Sequence, residues 1–263
     1  DLACYGLQLP EVGVGAETWN RMIADLKDYA SKGGIITASS HFANPTGRWT
    51  PVGKCRGPLG GEDAWEELLT DGTEYNKIIK EELRIDGLFL KELDSVGIPV
   101  LWRPLHDCNG GWFWFHPFDN GKLLDASVFV EMWKYVYNYF TDECGLDNLL
   151  WEYSPNNMNG GTDVMYCYPG DEYVDLVGLD WYTAGGYEVD GSGKSYEKIM
   201  ETGKIASLAE IGINESLKAE NIEEQKRLFT AQDLIGLAET MMREDYMIAY
   251  FMTYNAYHSL AYL

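Results

Sequence analysis

The sequence predicts an α/β protein in which parallel strands alternate with helices, and three observations carry that reading. Short apolar runs rich in Val, Ile, Tyr and Trp recur at 2–9, 34–41, 98–106, 148–155, 176–182, 204–212 and 246–256. Runs that stay apolar rather than alternating are strands covered on both faces. Between them, residues 17–34, 75–97 and 125–145 carry apolar side chains at helical spacing, and several such stretches end in Gly, as helices do at their C-caps. Polar and aromatic residues then gather at the C-terminal ends of the runs: His41, His106, Asp107, Asp180, Tyr182, Glu210 and Asn255. With no GxGxxG after the first strand, a Rossmann arrangement is disfavoured. The expectation is a (β/α)₈ TIM barrel, whose strands present the active site at their C-terminal ends. No repeat or linker interrupts the chain, so residues 1–263 read as one domain. Only seven strand runs are found, and seven residues follow the last one. Either one strand escapes this pattern or the outermost βα elements of the barrel are absent from this sequence.

Charge narrows the partners. Forty-two acidic against twenty basic residues give a formal net charge of −22, a field that repels nucleic acid and anionic membranes. No run of about 18 apolar residues marks a membrane span. Neutral or cationic ligands fit such a surface better. The four His show no paired spacing, and the five Cys (Cys4, Cys55, Cys108, Cys144 and Cys167) form no CxxC pair. The expectation is no metal and no cofactor; one or two disulfides stay open. Nine Trp and eighteen Tyr exceed what a core alone calls for. Their flat faces suit the C–H faces of pyranose rings, although each aromatic taken singly reads as well as core packing.

Two strand ends place acids in apolar surroundings, Asp107 and Glu210. A carboxyl among apolar groups keeps its proton and can act as a general acid, whereas one met by donors stays ionised as a nucleophile. Two such groups about 5–5.5 Å apart are the machinery of retaining glycoside hydrolysis. Either acid alone also reads as a paired or solvated strand-end residue. Glu152 stands out as an acid inside an apolar strand; Arg103 is its expected partner. His116 reads as a loop residue. The segments KIIKEEL and NIEEQKR read as solvated helix faces, and CGLDNL and the glycine-rich stretch 182–196 as loops.

Five segments, in order, resemble glycoside hydrolase family 26, best known for secreted endo-β-1,4-mannanases: ITASSHFANPTG, RPLHDCNGGWFWF, LLWEYSPN, YPGDEYVDLVGLDWY and SLAEIG. The resemblance extends over nearly the whole chain. It implies a (β/α)₈ barrel with the acid/base at the end of strand four and the nucleophile at the end of strand seven. Asp107 then falls on the acid/base position and Glu210 on the nucleophile. His41, His106, Trp112, Asp180 and Tyr182 match residues that contact the sugar. It also implies that the run 2–9 is strand two, with strand one upstream of Asp1.

The sequence departs from the family pattern at three places. Asp107 stands where the family has Glu, shorter by one C–C bond, about 1.5 Å; a misplacement of about 1 Å can cost on the order of 10² in rate, so impaired acid catalysis is expected. Tyr254 takes the place of a Trp platform in the last strand. Phe115 and His116 replace a Trp and a Gly. What the resemblance implies is a secreted, retaining endo-β-1,4-mannanase-type hydrolase acting on β-mannan or a related plant polysaccharide; whether further modules flank the segment stays open. The alternative, favoured by the departures, is a non-catalytic β-mannan-binding protein on the same scaffold.

Overall fold

The computed structural model describes residues 14–47, 55–157, 162–183, 194–213, 239 and 247–253. Helix α1 (Val14–Ser31) precedes β1 (Ile36–Ser39). Helices α2 (Glu62–Leu69) and α3 (Glu74–Asp94) lead into β2 (Val100–Arg103). A small hairpin, β3 (Phe118–Asp119) with β4 (Lys122–Leu123), precedes α4 (Ser127–Asn138), which a π-helical turn extends over Tyr139–Glu143. The rest is β5 (Leu149–Tyr153), β6 (Leu176–Val177), β7 (Asp180–Thr183), α5 (Ser195–Met200), β8 (Ile205–Ile213) and β9 (Ile248–Thr253).

The seven strands outside the hairpin form one sheet, in the order β1-β2-β5-β6-β8-β7, with β9 also pairing β8. All its pairs are parallel. The intervening helices cover it, giving the curled sheet of a barrel expected from the alternation of strands and helices. The strands are apolar throughout because each is sandwiched. Trp102 of β2 points at the helix layer, its ring 5.6 Å from Phe140, while its neighbour Arg103 points into the barrel. On β5, Trp151 and Tyr153 pack against Trp133 of α4 at 6.2 and 5.9 Å between ring centroids. Glu152 and Ser154 take the opposite, inward face, as the period of two requires.

Several expectations change. The run 176–182 is not one strand: β6 and β7 flank Gly178 and Leu179, and both pair with β8. Helices α2 and α5 were not anticipated, being eight and six residues long, too short for periodicity to show. KIIKEEL is not simply a solvated face: α3 buries Glu82 and, four residues on, Asp86 together with Ile79, Leu83 and Leu90. Burial pushes the Asp86 carboxyl up to about 8. Cys55, Cys108, Cys144 and Cys167 are free thiols, so no disulfide joins the described cysteines. The run 2–9, Cys4, NIEEQKR, Tyr254 and Asn255 lie outside the described residues. Among the described residues, no helix is long and apolar enough to cross a membrane.

Candidate active site

The chemistry gathers where the C-terminal ends of β2, β5, β7 and β8 converge. Arg103, the last residue of β2, is fully buried and has no solvent to satisfy its charge. Its Nη2 donates to Glu210 Oε1 at 3.0 Å and its Nη1 to Asp180 Oδ1 at 3.2 Å. Burial alone would lower the Arg103 pKa, but the Glu210 and Asp180 carboxylates hold it above its usual value. Tyr182 closes the other side: its hydroxyl donates to Glu210 Oε2 at 2.6 Å. Burial and the Glu210 charge both raise the Tyr182 hydroxyl, so it stays a donor. Each oxygen of Glu210 therefore meets one strong donor. Strand register sets this up, since Asp180 pairs with Glu210 and Tyr182 with Gly212 across β7 and β8.

Asp107 sits in a different environment. Four residues past Arg103 the chain has left β2 and turns sharply, and Asp107 adopts φ 54°. That left-handed conformation is one that Asp tolerates better than most side chains. The turn is fixed from both sides: Asp107 N–H donates to Ser154 O at 2.8 Å and Gly110 N–H to Asp107 O at 2.9 Å. The carboxylate accepts one bond, from Asn156 Nδ2 at 2.8 Å. Burial first, and then the Glu210 charge, push its pKa up to about 7. Asp180 is also raised, by burial and by the charges of Glu210 and Asp107. Its donors Arg103 and Ser154, the latter at 2.5 Å, both land on Oδ1. Asp180 Oδ2 takes neither of these donors.

One oxygen each from Asp107, Asp180 and Glu210 lies within 4.8 Å of the others, the grouping among the described residues with a metal-like donor set. Arg103 donates to two of the three, which places a cation against this set. The histidines expected at the site are close by and neutral. His41 and His106 meet edge to face at 4.5 Å. Burial pushes His41 down to about 4 and His106 well below its usual value. His106 Nε2 lies 3.9 Å from Glu210 Oε1. The ring that meets both histidines is Phe113, at 5.0 and 5.3 Å; Trp112, half-buried, lies 6.3 Å from Phe113 with its ring folded over Gly110, where a Cβ would meet Trp112 Cζ2 at 2.3 Å.

Thus the structure brings together Asp107, Glu210, Asp180, Tyr182, His41 and His106, with Trp112 in the turn that follows Asp107; Tyr254 lies outside the described residues. Sequence reasoning missed Asn156 and Ser154, which hold the two acids, and named Arg103 only for the wrong partner. Arg103 donates to Asp180 and Glu210, whereas Glu152 is hydrogen-bonded by Ser207 and Tyr250. A basic residue ending an apolar strand was the available signal for Arg103. His116 is more than a loop residue: buried, its Nδ1 lies 2.8 Å from Cys108 O and 3.2 Å from Gly111 N and pins the turn that follows Asp107. Asn109 ties the same turn to the β5 end through Asn156 O at 2.9 Å.

Residues 7–258 match the family described as Glycosyl hydrolase family 26. The chain is 36% identical over 194 residues to a mannan endo-1,4-beta-mannosidase of Bacillus subtilis strain 168, covering 72% of this chain and 50% of that protein. It is 28% identical over 268 residues to one from Bifidobacterium adolescentis, covering 95% of this chain and 25% of that protein. Among solved structures, the YdhT protein from Bacillus subtilis superposes with a TM-score of 0.75 at 29% identity, over 90% of this chain and 65% of that one. A beta-mannanase from a symbiotic protist of the termite Reticulitermes speratus, complexed with gluco-manno-oligosaccharide, gives 0.62 at 27% identity, over 89% and 62%. The chain spans about half the length of the Bacillus relatives it matches.

Proposed function

Because the chain belongs to glycosyl hydrolase family 26, we propose that it is a retaining endo-β-1,4-mannanase-type glycoside hydrolase. The carrying observation is the pair of unlike buried acids, Asp107 and Glu210, with one oxygen of each within 4.8 Å. That spacing suits retaining rather than inverting chemistry, where the carboxyl groups stand about 6.5–9.5 Å apart. Glu210, met by Arg103 and Tyr182, attacks the anomeric carbon. Asp107, its proton held to about pH 7 by burial, protonates the departing glycosidic oxygen. Asp107 then takes a proton from the water that hydrolyses the glycosyl-enzyme. Arg103 and Tyr182 orient the nucleophile, and the neutral His41–His106 pair and Trp112 offer apolar faces to a sugar ring. The mannan substrate is supported by the named activity of the relatives. A polymeric substrate fits secretion, which forms part of the proposal.

A second reading, a mannan-binding protein without turnover, draws on the shortened acid and its left-handed backbone. One experiment separates the two. Wild type and Glu210→Gln are assayed on mannan and on an aryl β-mannoside oligosaccharide whose leaving group needs little protonation. The hydrolase reading expects wild type to cleave both with retained configuration, and Glu210→Gln neither. Binding of mannan without cleavage of either substrate by wild type would establish the second reading.

A further inference from the structure

Glu152 is a buried acid that the reaction above leaves unused. It lies on the inward face of β5, two residues before Ser154, which holds Asp180. Register places it beside Leu176 of β6, yet its carboxylate bonds to neither β6 nor β7. It reaches across to β8, where the Ser207 hydroxyl donates to Oε1, and to β9, where the Tyr250 hydroxyl donates to Oε2. The break between β6 and β7 leaves room for this. A Cβ on Gly178 would stand 3.0 Å from Glu152 Oε1, 3.1 Å from Ser207 Oγ and 2.7 Å from Ala209 Cβ. Ser207 and Glu210 both reach the interior although three residues apart, which a regular strand forbids. The register of β8 against β9 shifts between Ala206 and Leu208 and again between Leu208 and Ile211; such irregularities re-aim side chains beside active sites.

The charges on this layer are few. Facing Glu152 are Arg103 from β2, Glu210 and the Ser207 hydroxyl from β8, and the Tyr250 hydroxyl from β9. Burial raises the Glu152 carboxyl, Arg103 and the two hydroxyls pull it down, and the Glu210 charge adds to the rise. Arg103 directs its bonds at Ser154, Asp180 and Glu210 and attracts Glu152 without bonding it.

We propose that Glu152 is a positioning residue for Glu210, anchoring β8 through Ser207 and sharing the charge of Arg103 from the layer beneath. The inference rests on Glu210 being the nucleophile. It means that the floor of the site is set by an acid on strand β5, which neither touches substrate nor neighbours Glu210 in the sheet.

The test is Glu152→Gln, which keeps the shape and loses the charge. On mannan, kcat is expected to fall about tenfold with KM within about twofold, since a nucleophile slightly out of place loses rate rather than binding. The pH profile of kcat/KM is expected to move to lower pH by about half a unit or more, because a negative charge facing the site has gone. In thermal unfolding the variant should gain several degrees on wild type as pH rises from about 4 to about 8. The reason is that an acid whose folded pKa is raised weakens the native state above its unfolded pKa of about 4.3. A purely structural residue would shift Tm equally at every pH and leave the profile in place. If Glu152→Gln fails to fold, Tyr250→Phe removes one donor, makes the Glu152 charge harder to hold and moves the profile the same way. A wild type that cleaves no β-glycan overturns the hydrolase reading. A wild type that cleaves mannan, matched by the variant in kcat and pH profile, overturns the role of Glu152 alone.

Discussion

The end of β8 and the turn after β2 each deliver one carboxylate to the same few ångströms, and they treat it in opposite ways. Glu210 comes from within a strand, its backbone paired with Asp180 of β7 on one side and lying at the register shift against β9 on the other, with each oxygen facing a donor, Arg103 on one and Tyr182 on the other. Asp107 comes from a left-handed turn, with one amide donor and burial around it. A carboxylate given charge-assisted donors keeps its negative charge. One that is buried beside another carboxylate and met by fewer donors keeps its proton, as burial and the Glu210 charge push Asp107 up to about 7. Chemically alike groups therefore acquire opposite roles from their surroundings, and the difference lies in the neighbours rather than in Asp against Glu.

That contrast can be broken from either side. Asp107→Asn removes the proton donor and should cut turnover of mannan by about 10²–10⁴, with far less loss on an aryl substrate carrying an activated leaving group; equal losses on both would place the defect in binding or folding. Arg103→Leu leaves Asp180 and Glu210 buried without their cation. Denaturant unfolding should report a loss of about 3–5 kcal/mol, and a loss under 1 kcal/mol would mean that the acids hold protons instead. Asp107→Glu tests reach. Because one oxygen of each acid is already within 4.8 Å, mannan turnover should change by less than about tenfold, the longer arm being offset by strain at φ 54°. A gain near 10² would instead make the reach of Asp107 the limiting factor.

The smallest expected effect concerns pH. Asp107 must be protonated to act, so kcat/KM should fall as pH rises through about 7. Asn156→Ala removes the amide that favours the ionised carboxylate, so that falling limb should move to higher pH; a shift to lower pH would show that Asn156 does not act on Asp107.

Much of this site was legible in advance because it lies at strand ends, where one polar residue after an apolar run is conspicuous. His41, His106, Asp107, Asp180, Tyr182 and Glu210 were all found that way. Asn156 and Ser154 were not, because an Asn or Ser following a strand looks like any turn residue. What distinguishes them is the carboxylate they meet, 49 residues back for Asn156 and 26 residues on for Ser154. Glu152 and Arg103 were each recognised as charges in apolar strands, but assigned to one another. Nothing along a chain says which of several inward charges will pair, because that depends on the layer each occupies.

The sequence by itself determined the barrel of parallel strands, the acids at its C-terminal rim and the absence of any nucleic-acid-binding charge pattern. Those follow from periodicity, composition and the order of motifs, which are properties of the chain read locally. Only the tertiary structure decided which acid keeps its proton, where Arg103 places its charge, and how Glu152 reaches over Gly178 to β8 and β9. Those depend on burial and on distances between residues tens of positions apart, and both come into being only when the sheet assembles and curls.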